Sequence, residues 1–431
     1  MKKINFILLT VFLFFLLFVA IIAFLPNKKS KNGLYFKVFQ AVEFITPNFF
    51  HSTIRMIVNN NINNQRIKND YNTVFLPETQ FAKVDFKKIP LKFIKSSDVG
   101  YKNLFRRKPF QIEIYKNYIF IMPKTGQFYY KYVDDLYDLD KNFIKIESDL
   151  DTKNALDFYM DQKHIYVSYI KTKNDCKHLY LAKSKINLRK IFFEDVFSIT
   201  DECMGNVQAG RIQKILKDNV SYILLSTAAD MLKDKGQKDS KPQSENSLYG
   251  KIIAINENDN SAKIFSKGHR NILGLAVVDD VILATENGPY GGDEINIINE
   301  NKNYGWDIAS YGKKYKDRNN DNDDVGNYSD HKSLGFEEPI FSFVPSLGIS
   351  EIIKIDDNFD KDWKDNFIIG SLNYKHILRV KINTEFNKID YYEEIYVGER
   401  IRDLKYIKNR SLIVMALENS GSVGILRKIS N

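Results

Sequence analysis

The chain opens with a long apolar segment. Residues 4–25 are apolar except for Asn5 and Thr10. About 20 apolar residues cross a bilayer, whereas the apolar core of a secretory signal has only about 7–15. No clean small-residue cleavage site follows. We therefore predict a transmembrane signal anchor over residues 1–31, with a cleaved signal peptide as the alternative.

The pattern then changes to a helical one. Apolar residues recur at helical spacing from Phe36 to Ile45, before Pro47, and again from Ile54 to Val58. Residues 32–75 are therefore predicted to form a short helical stalk close to the membrane. We expect it to act as a spacer that packs on the main domain.

From residue 76 onward the chain consists of short β-rich runs that end in Asn, Asp, Gly or Lys. Typical pairs are residues 118–122 with 127–132, and 164–170 with 178–186. This β-rich region of more than 300 residues is too long for one β-sandwich. Propeller blades, which repeat every ~40–60 residues, fit the spacing of the runs better. We predict an all-β propeller over residues 76–431, with the polar residues 230–247 as a mobile surface loop.

Composition excludes some functions. The 431 residues carry a formal charge of +9, but no basic stripe is interleaved with aromatic residues, so we expect no nucleic-acid binding. The surplus lysines would be solvated, or those beside the apolar segment would attract anionic lipids. Cys176 and Cys203 lack metal-ligand spacing. Outside the cytoplasm they are able to form one disulfide, and the sequence leaves that bond open.

Four segments combine glycines with polar groups between strand-like flanks: residues 268–271, 286–296, 303–306 and 398–403. In a propeller such loops gather at the mouth of the central channel, where glycine lets the backbone approach a ligand. Arginine offers a fixed fork for carboxylates. A single arginine is more often part of a surface salt bridge, but the four segments together predict a site for a small anionic ligand and a hard cation.

These motifs also resemble a known family. GHRN…GLA, ExGPxGGDEIN…NYGW and RIRD, in that order, are similar to those of the PQQ-dependent soluble aldose (glucose/sorbosone) dehydrogenases. The resemblance covers about residues 115–428. It implies a six-bladed β-propeller, oxidation of a sugar or other polyol, the cofactor pyrroloquinoline quinone (PQQ), and Ca²⁺.

The resemblance implies roles for eight residues. It assigns PQQ contacts to Arg270, Asn271, Arg400 and Arg402. It assigns calcium to the carbonyls of Gly288 and Pro289 beside PQQ, and a second, structural calcium to Glu294 and Tyr304. Oxygen ligands suit calcium, and arginines suit a tricarboxylate.

The chain departs from the family pattern at the residues that do chemistry. The general-base His falls at Val207, which cannot accept a proton. The cofactor-contacting Lys falls at Asn373. Lys375 lies two residues on and is therefore expected on the same strand face, which makes it a candidate substitute. The cofactor-contacting Gln falls at Thr152.

Few other residues are candidates to replace the missing general base. His269 lies within the motif and is expected to be structural, whereas His331 and His376 are weak candidates for a substitute base because geometry must come before chemistry. Residues 317–324 resemble the start of an EF-hand but lack its Gly and final Glu, which favours a solvated acidic loop.

Three functions remain open. The first is a divergent PQQ- and calcium-dependent sugar dehydrogenase, anchored in the inner membrane with its propeller in the periplasm, that passes electrons to an acceptor. The second is a catalytically degenerate propeller that binds a carbohydrate or a protein, because Val207 replaces the base. A lactone or sulfate-ester reaction is a third, weaker option, since no nucleophile–base pair supports it.

Overall fold

The computed structural model describes residues 74–75, 84–94, 97–98, 106–152, 154–204, 209–229, 240–314 and 328–428. The predicted anchor (1–31) and nearly all of the predicted stalk (32–75) lie outside these ranges. Within them, the helices are four 3₁₀ turns, and none is long and apolar enough to cross a membrane. These turns are Val133–Asp135, Lys332–Leu334, Lys361–Trp363 and Lys408–Arg410.

The remaining elements are β-strands. The first four are β1 Val74–Phe75, β2 Val84–Pro90, β3 Ser97–Asp98 and β4 Arg106–Arg107. Blades 1 and 2 contain β5 Phe110–Tyr115, β6 Tyr118–Pro123, β7 Phe128–Tyr132, β8 Ile144–Ser148, β9 Ala155–Met160, β10 His164–Lys173, β11 Cys176–Lys185, β12 Lys190–Ile191 and β13 Glu194–Ile199.

Blades 3 to 6 continue in the same way. Blades 3 and 4 contain β14 Ile212–Lys217, β15 Val220–Ser226, β16 Lys251–Asn256, β17 Ala262–Lys267, β18 Ile272–Val278, β19 Val281–Glu286, β20 Asp293–Ile298 and β21 Phe341–Phe343. Blades 5 and 6 contain β22 Ile349–Lys354, β23 Phe367–Ser371, β24 His376–Ile382, β25 Ile389–Tyr396, β26 Ile401–Ile407, β27 Leu412–Leu417 and β28 Ser422–Lys428.

Each blade is an antiparallel sheet whose strands follow chain order from the inside outward. Blade 1 gains β12 as a short parallel strand beside β8. The first strands of successive blades contact one another in a closed ring, β5–β9–β14–β18–β22–β26 and back to β5. The fold is therefore a six-bladed β-propeller, which confirms the predicted fold class.

Blade 6 is completed by a strand that precedes blade 1 in the sequence. Strand β2 pairs antiparallel with β28, from Val84 opposite Lys428 to Pro90 opposite Ser422. It supplies the fourth strand of blade 6, and β1 pairs with β2 as a fifth. The final blade thus joins residues from both ends of the described chain.

The core lies between neighbouring blades, because each strand points alternate side chains at the sheets on either side. One cluster combines Ile112 and Ile121 of blade 1 with Val414 and Ile425 of blade 6, all at most 1% exposed. Burying one such side chain contributes about 1.5–3 kcal/mol. The alternation of side chains with a period of two, which predicted β-structure, therefore also allows neighbouring blades to pack against each other.

The two cysteines form a disulfide with a Cα–Cα distance of 5.2 Å. It connects the start of β11 to the segment after β13. The bond that the sequence left open is therefore formed.

Part of the predicted mobile loop is packed. Residues 230–239 lie outside the described ranges, but residues 240–247 are held on the domain. The fully buried ammonium of Lys251 donates to the carbonyls of Lys241 (2.6 Å), Pro242 (3.0 Å) and Tyr249 (3.1 Å). Pro242 also accepts from the amide of Gly268 (3.0 Å). The described part differs from the prediction because a buried lysine needs acceptors, and this segment provides them.

Candidate active site at the channel mouth

The predicted site residues lie at one end of the propeller. Arg270 and Asn271 directly precede the inner strand β18, and Arg400 and Arg402 lie at the start of the inner strand β26. Gly288 belongs to the turn between β19 and β20, at the same end, because Ile272 pairs with Glu286. The inner strands all enter from the channel mouth, so loops far apart in sequence meet there.

The buried Arg211 connects two of these segments. Its Nε donates to the carbonyl of Leu273 (2.6 Å) and its Nη2 to the carbonyl of Arg402 (3.0 Å). The backbone carbonyls of Leu273, two residues after Asn271, and of Arg402 are thus separated by about the width of one guanidinium. The structure brings together the cofactor residues implied on blades 4 and 6.

The same guanidinium faces three buried carboxylates. Its Nη1 lies 2.9 Å from Glu351, 3.3 Å from Asp157 and 3.2 Å from Asp403. Burial raises the pKa of Asp157 to about 6 and that of Glu351 to about 7, although Arg211 acts in the opposite direction. The inner strands β9, β14, β22 and β26 therefore meet in one charged network just below the channel mouth.

Glu418 pairs with both predicted arginines of blade 6. Its oxygens lie 3.0 Å from Arg400 Nε and 2.6 Å from Arg402 Nε, and its side chain is fully buried. Burial alone would raise the pKa of Glu418, but Arg402 and Arg400 lower it to about 2. Sequence reasoning missed this residue. The available signal was a carboxylate directly after the fully buried strand Leu412–Leu417.

Asn373 has a different role from the lysine it replaces. Its Oδ1 accepts a hydrogen bond from Arg400 Nη1 (2.7 Å), which also donates to the carbonyl of Leu372 (3.1 Å). Lys375 lies in the turn before β24 with φ of 61°, outside any strand. The prediction that Lys375 shares a strand face with Asn373 is therefore wrong, because neither residue has strand geometry.

Arg270 is held by its own motif. Its amide donates to Glu286, its Nη1 donates to the carbonyl of Asn287, and its guanidinium lies 5.2 Å from the ring centroid of Trp306. The first contact fixes the backbone of Arg270, and the other two orient its guanidinium. Residues of the 286–296 and 303–306 motifs thus position the arginine of the 268–271 motif.

His269 is structural, as expected. Its Nδ1 lies 3.1 Å from Glu286 and its Nε2 2.8 Å from Ser266 Oγ. The ring also stacks on Tyr304 at 4.7 Å. Both nitrogens are engaged and the side chain is fully buried, so it offers no free base.

The turn at Gly288 is too tight for any side chain. A Cβ at this position would lie 2.1 Å from the carbonyl oxygen of Gly292 and 2.3 Å from that of Gly291. Carbonyl oxygens therefore crowd this turn, as a backbone site for a hard cation requires. Pro289 follows in the same turn, so the pair predicted to bind the calcium beside PQQ is adjacent to Arg270.

Asp293, which sequence reasoning did not single out, fixes this turn. The side chain is 1% exposed. Its oxygens accept from the amides of Gly288 (2.9 Å), Leu347 (2.9 Å), Gly348 (2.6 Å) and Ile349 (3.2 Å), and from Ser346 Oγ (2.8 Å). One carboxylate thus anchors the cation turn to the segment that enters blade 5.

The predicted structural-calcium residues, Glu294 and Tyr304, line a small polar cavity. It is lined by Arg270, Glu286, Asn287, Gly288, Gly292, Glu294, Tyr304, Trp306, Ala309, Ser310 and His331. The Tyr304 hydroxyl is committed elsewhere: it donates to the carbonyl of Ile297 (2.5 Å) and accepts from the amide of Asn299 (2.9 Å). Burial and the nearby Glu286 raise the pKa of Glu294 well above its usual value.

Other predicted positions fall elsewhere. Val207 and residues 317–324 lie outside the described ranges. Thr152 donates from its hydroxyl to the carbonyl of Ile170 (3.1 Å). His376 begins β24 and stacks on Tyr374 at 4.0 Å, whereas His331 is 1% exposed and lines the cavity.

Comparison with known proteins identifies the family. The family model for glucose/sorbosone dehydrogenase matches residues 149–427. The chain belongs to the glucose/sorbosone dehydrogenase family. The match spans blades 2 to 6 and contains all eight of the site residues that the resemblance implied.

Two proteins are similar in sequence to this member of the glucose/sorbosone dehydrogenase family. Aldose sugar dehydrogenase YliI of Escherichia coli is 26% identical over 296 residues, covering 64% of this chain and 75% of YliI. Protein slr1608 of Synechocystis, which is uncharacterized, is 24% identical over 283 residues, covering 62% and 67%.

Solved structures give the same fold. The apo-form of the soluble aldose sugar dehydrogenase from Escherichia coli matches with a TM-score of 0.63 and 20% identity, covering 81% of this chain and 100% of that one. The PQQ-bound aldose sugar dehydrogenase from Streptomyces coelicolor matches with a TM-score of 0.51 and 15% identity, covering 81% and 99%. At these identities the likeness shows the fold alone.

Proposed function

We propose that this protein is a divergent sugar dehydrogenase that uses PQQ and calcium to oxidise a hydroxyl of an aldose or another polyol. The observation that carries the proposal is the meeting of Arg270, Asn271 and Arg402 at one channel mouth beside the Gly288 turn. The relatives include a named aldose sugar dehydrogenase and a PQQ-bound structure.

The residues present fit both groups. The buried Oδ1 of Asn271 has no hydrogen-bond partner among the described residues, and the glycine turn is a cradle that a Cβ would fill. Arg270, Asn271, Arg400 and Arg402 would hold PQQ, and the carbonyls of Gly288 and Pro289 would hold calcium. When bound, calcium-polarised PQQ supplies a quinone that accepts hydride from the sugar carbon.

The reaction also requires a group that accepts the proton of the substrate hydroxyl. The hydroxyl of the substrate must lose its proton as its carbon loses hydride, and Val207 cannot accept it. A missing general base lowers the rate by ~10²–10⁴. We therefore expect slow turnover, and oxidation would be followed by electron transfer to an acceptor near the membrane.

We also propose that the propeller lies in the periplasm, held to the inner membrane by residues 1–31. The disulfide between Cys176 and Cys203 supports an oxidising compartment, because such bonds are rare in the cytoplasm. Protease added to intact spheroplasts should degrade the propeller. Protection of the propeller until the membrane is broken would contradict this location.

The function is tested with the full-length protein in detergent. PQQ and calcium are added, binding is followed by PQQ absorbance, and an aldose is tested for reduction of an artificial dye. Arg402→Gln should weaken PQQ binding about 10–100-fold, because a charged hydrogen bond contributes about 1.5–3 kcal/mol. Arg410→Gln, which removes an exposed ion pair with Asp134 (2.6 Å), is the matched control. Absence of PQQ binding would contradict the enzyme proposal.

The departure at Val207 favours one second candidate, a propeller that binds a carbohydrate or a protein without turnover. Val207→His separates the two. A dehydrogenase that lacks only its base should gain ~10²–10⁴ in rate with the histidine restored. PQQ binding with no turnover in either protein would favour the binding module.

A further inference from the structure

A lysine from blade 1 lies at the channel mouth. Lys124 directly follows β6. Its amide donates to the carbonyl of Pro109 (3.4 Å), and its carbonyl accepts from the amide of Ala155 (2.9 Å). Pro109 directly precedes the inner strand β5, and Ala155 begins the inner strand β9. Lys124 is therefore held at the mouth between blades 1 and 2, and its side chain is partly buried.

Arg107 reaches the same region from the segment before β5. Lys108, the next residue, donates from its amide to the carbonyl of Glu418 (2.9 Å). The carboxylate of Glu418 pairs with Arg400 and Arg402. The side chain of Arg107 is partly buried. The backbone beside Arg107 is thus fastened to the segment that holds both arginines of blade 6.

Positive charge exceeds negative charge among these groups. Burial lowers the pKa of Lys124, and the charges of Arg402 and Lys177 lower it further. Burial also lowers the pKa of Arg107; Glu418 acts in the opposite direction, and Arg402 adds to the lowering. Among the described residues that act on Lys124 or Arg107 through their charge, Glu418 is the only carboxylate. Partly buried like charges repel one another, so this region favours a bound anion.

The cofactor of the proposed function would leave these cations available. Its carboxylates would be met by Arg270, Arg400 and Arg402, which belong to blades 4 and 6. Lys124 and Arg107 are additional cations on the blade 1 side of the mouth. The segment that carries the usual base in the family leads into β14 of blade 3. Because the sugar must contact both that segment and the cofactor, we expect it on the side of blades 1 to 3.

We propose that Lys124 and Arg107 bind an acid group of the substrate, which is an aldose that carries a carboxylate or a phosphate away from the oxidised carbon. This inference rests on the proposed function, because the same channel mouth would hold the reacting sugar. The acid group is bound and does not react. The N–H donors of a lysine and an arginine suit the oxygens of either acid group. A neutral sugar would leave the cations uncompensated, so the protein should prefer the acidic sugar.

The test compares three sugars with the full-length protein in detergent, supplied with PQQ and calcium. Glucose, glucuronate and glucose 6-phosphate share the carbon that is oxidised and differ at the other end of the sugar. We expect kcat/KM for one of the acidic sugars to exceed that for glucose about 10–100-fold, as a charged hydrogen bond allows. This preference should shrink with added salt. The better acidic sugar shows whether the acid group is a carboxylate or a phosphate.

Variants locate the acid group. Lys124→Gln and Arg107→Gln should each lower the ratio of acidic-sugar to glucose kcat/KM about 10-fold or more. Lys190→Gln is the matched control, because it removes a lysine from β12 of the same blade that is 52% exposed and 4.0 Å from Glu147. It should leave the ratio as it is in the wild type. The wild-type ratio decides the matter even if a variant fails to fold.

Several results would overturn the proposal. Equal kcat/KM for glucose and both acidic sugars would overturn it and leave the dehydrogenase intact. Weaker PQQ binding in Lys124→Gln, with the sugar ratio unchanged, would show that this lysine holds the cofactor instead. Loss of the preference in Lys190→Gln would show a general effect of net charge.

Failure of the proposed function gives a different result. If PQQ does not bind, calorimetry with each sugar replaces turnover. Tighter binding of an acidic sugar than of glucose, weakened in Lys124→Gln, would support the anion site and contradict only the dehydrogenase. Absence of sugar binding in that case would overturn both proposals.

Discussion

Glu418 holds two other residues of the site, Arg400 and Arg402, in position. It is a fully buried carboxylate between two arginines that the resemblance assigns to the cofactor. Each arginine donates a hydrogen bond from its Nε to Glu418, and the side chain of Arg402 remains 21% exposed. A bidentate contact with a ligand requires a guanidinium held in one orientation. Glu418 is therefore a positioning residue for the channel mouth.

Replacing Glu418 with Gln should destabilise the protein by about 3 kcal/mol or more, because it leaves two largely buried arginines without their counter-charge. Urea unfolding measures this. The control is Glu147→Gln, whose side chain is 77% exposed and 4.0 Å from Lys190. Equal unfolding free energies for the two variants would contradict the assigned role.

Glu418 also contributes to acid stability. Its pKa falls from 4.5 unfolded to about 2 folded, so its contribution is present above about pH 4.5 and is lost as pH falls toward 2. The Gln variant should lose less stability than the wild type over this window.

At the scale of elements, the inner strands are joined by charge as well as by apolar packing. Arg211, directly before β14, contacts groups on β9, β18, β22 and β26. Asp403 extends the network to β5, because the amide of Ile112 donates to its Oδ2 (2.7 Å). Buried polar groups must satisfy one another, and here they connect all six inner strands.

This network makes the protein less stable as pH rises, whereas the contribution of Glu418 is lost as pH falls. The pKa of Glu351 rises from 4.5 to about 7 on folding, so its favourable contribution is complete below about pH 4.5 and is lost as pH rises toward 7. Glu351→Gln cannot ionise, and its unfolding free energy should fall less steeply across this range than that of the wild type. Urea titrations at several pH values measure the slope. An unchanged slope would contradict the role of Glu351, and Glu147→Gln should leave the slope as it is in the wild type.

At the scale of the whole molecule, completion of blade 6 depends on β2. This strand adds Val84, Phe86 and Ile89, each at most 2% exposed, to the outer side of blade 6. Without it, β28 would present an open edge, which favours aggregation.

Two truncations test closure. A chain that begins at Thr73 keeps β2 and should retain cooperative unfolding. A chain that begins at Leu91 loses three buried side chains, each contributing about 1.5–3 kcal/mol, and exposes β28. It should be insoluble or unfold at a much lower temperature by circular dichroism. Equal midpoints for the two chains would show that blade 6 is stable without β2.

The sequence by itself determined the all-β class, the order of the site motifs and the loss of the usual base and lysine. These are local properties, since strand period, glycine turns and residue identity are read over a few neighbours. It did not reveal that β2 closes blade 6, because this pairing joins residues about 340 positions apart. It also missed Glu418, which pairs with Arg400 and Arg402, and the role of Asp293, which accepts hydrogen bonds from Gly288 and Ile349. Only tertiary structure decided these contacts, because burial, which makes a charge need a partner, is a property of the folded chain.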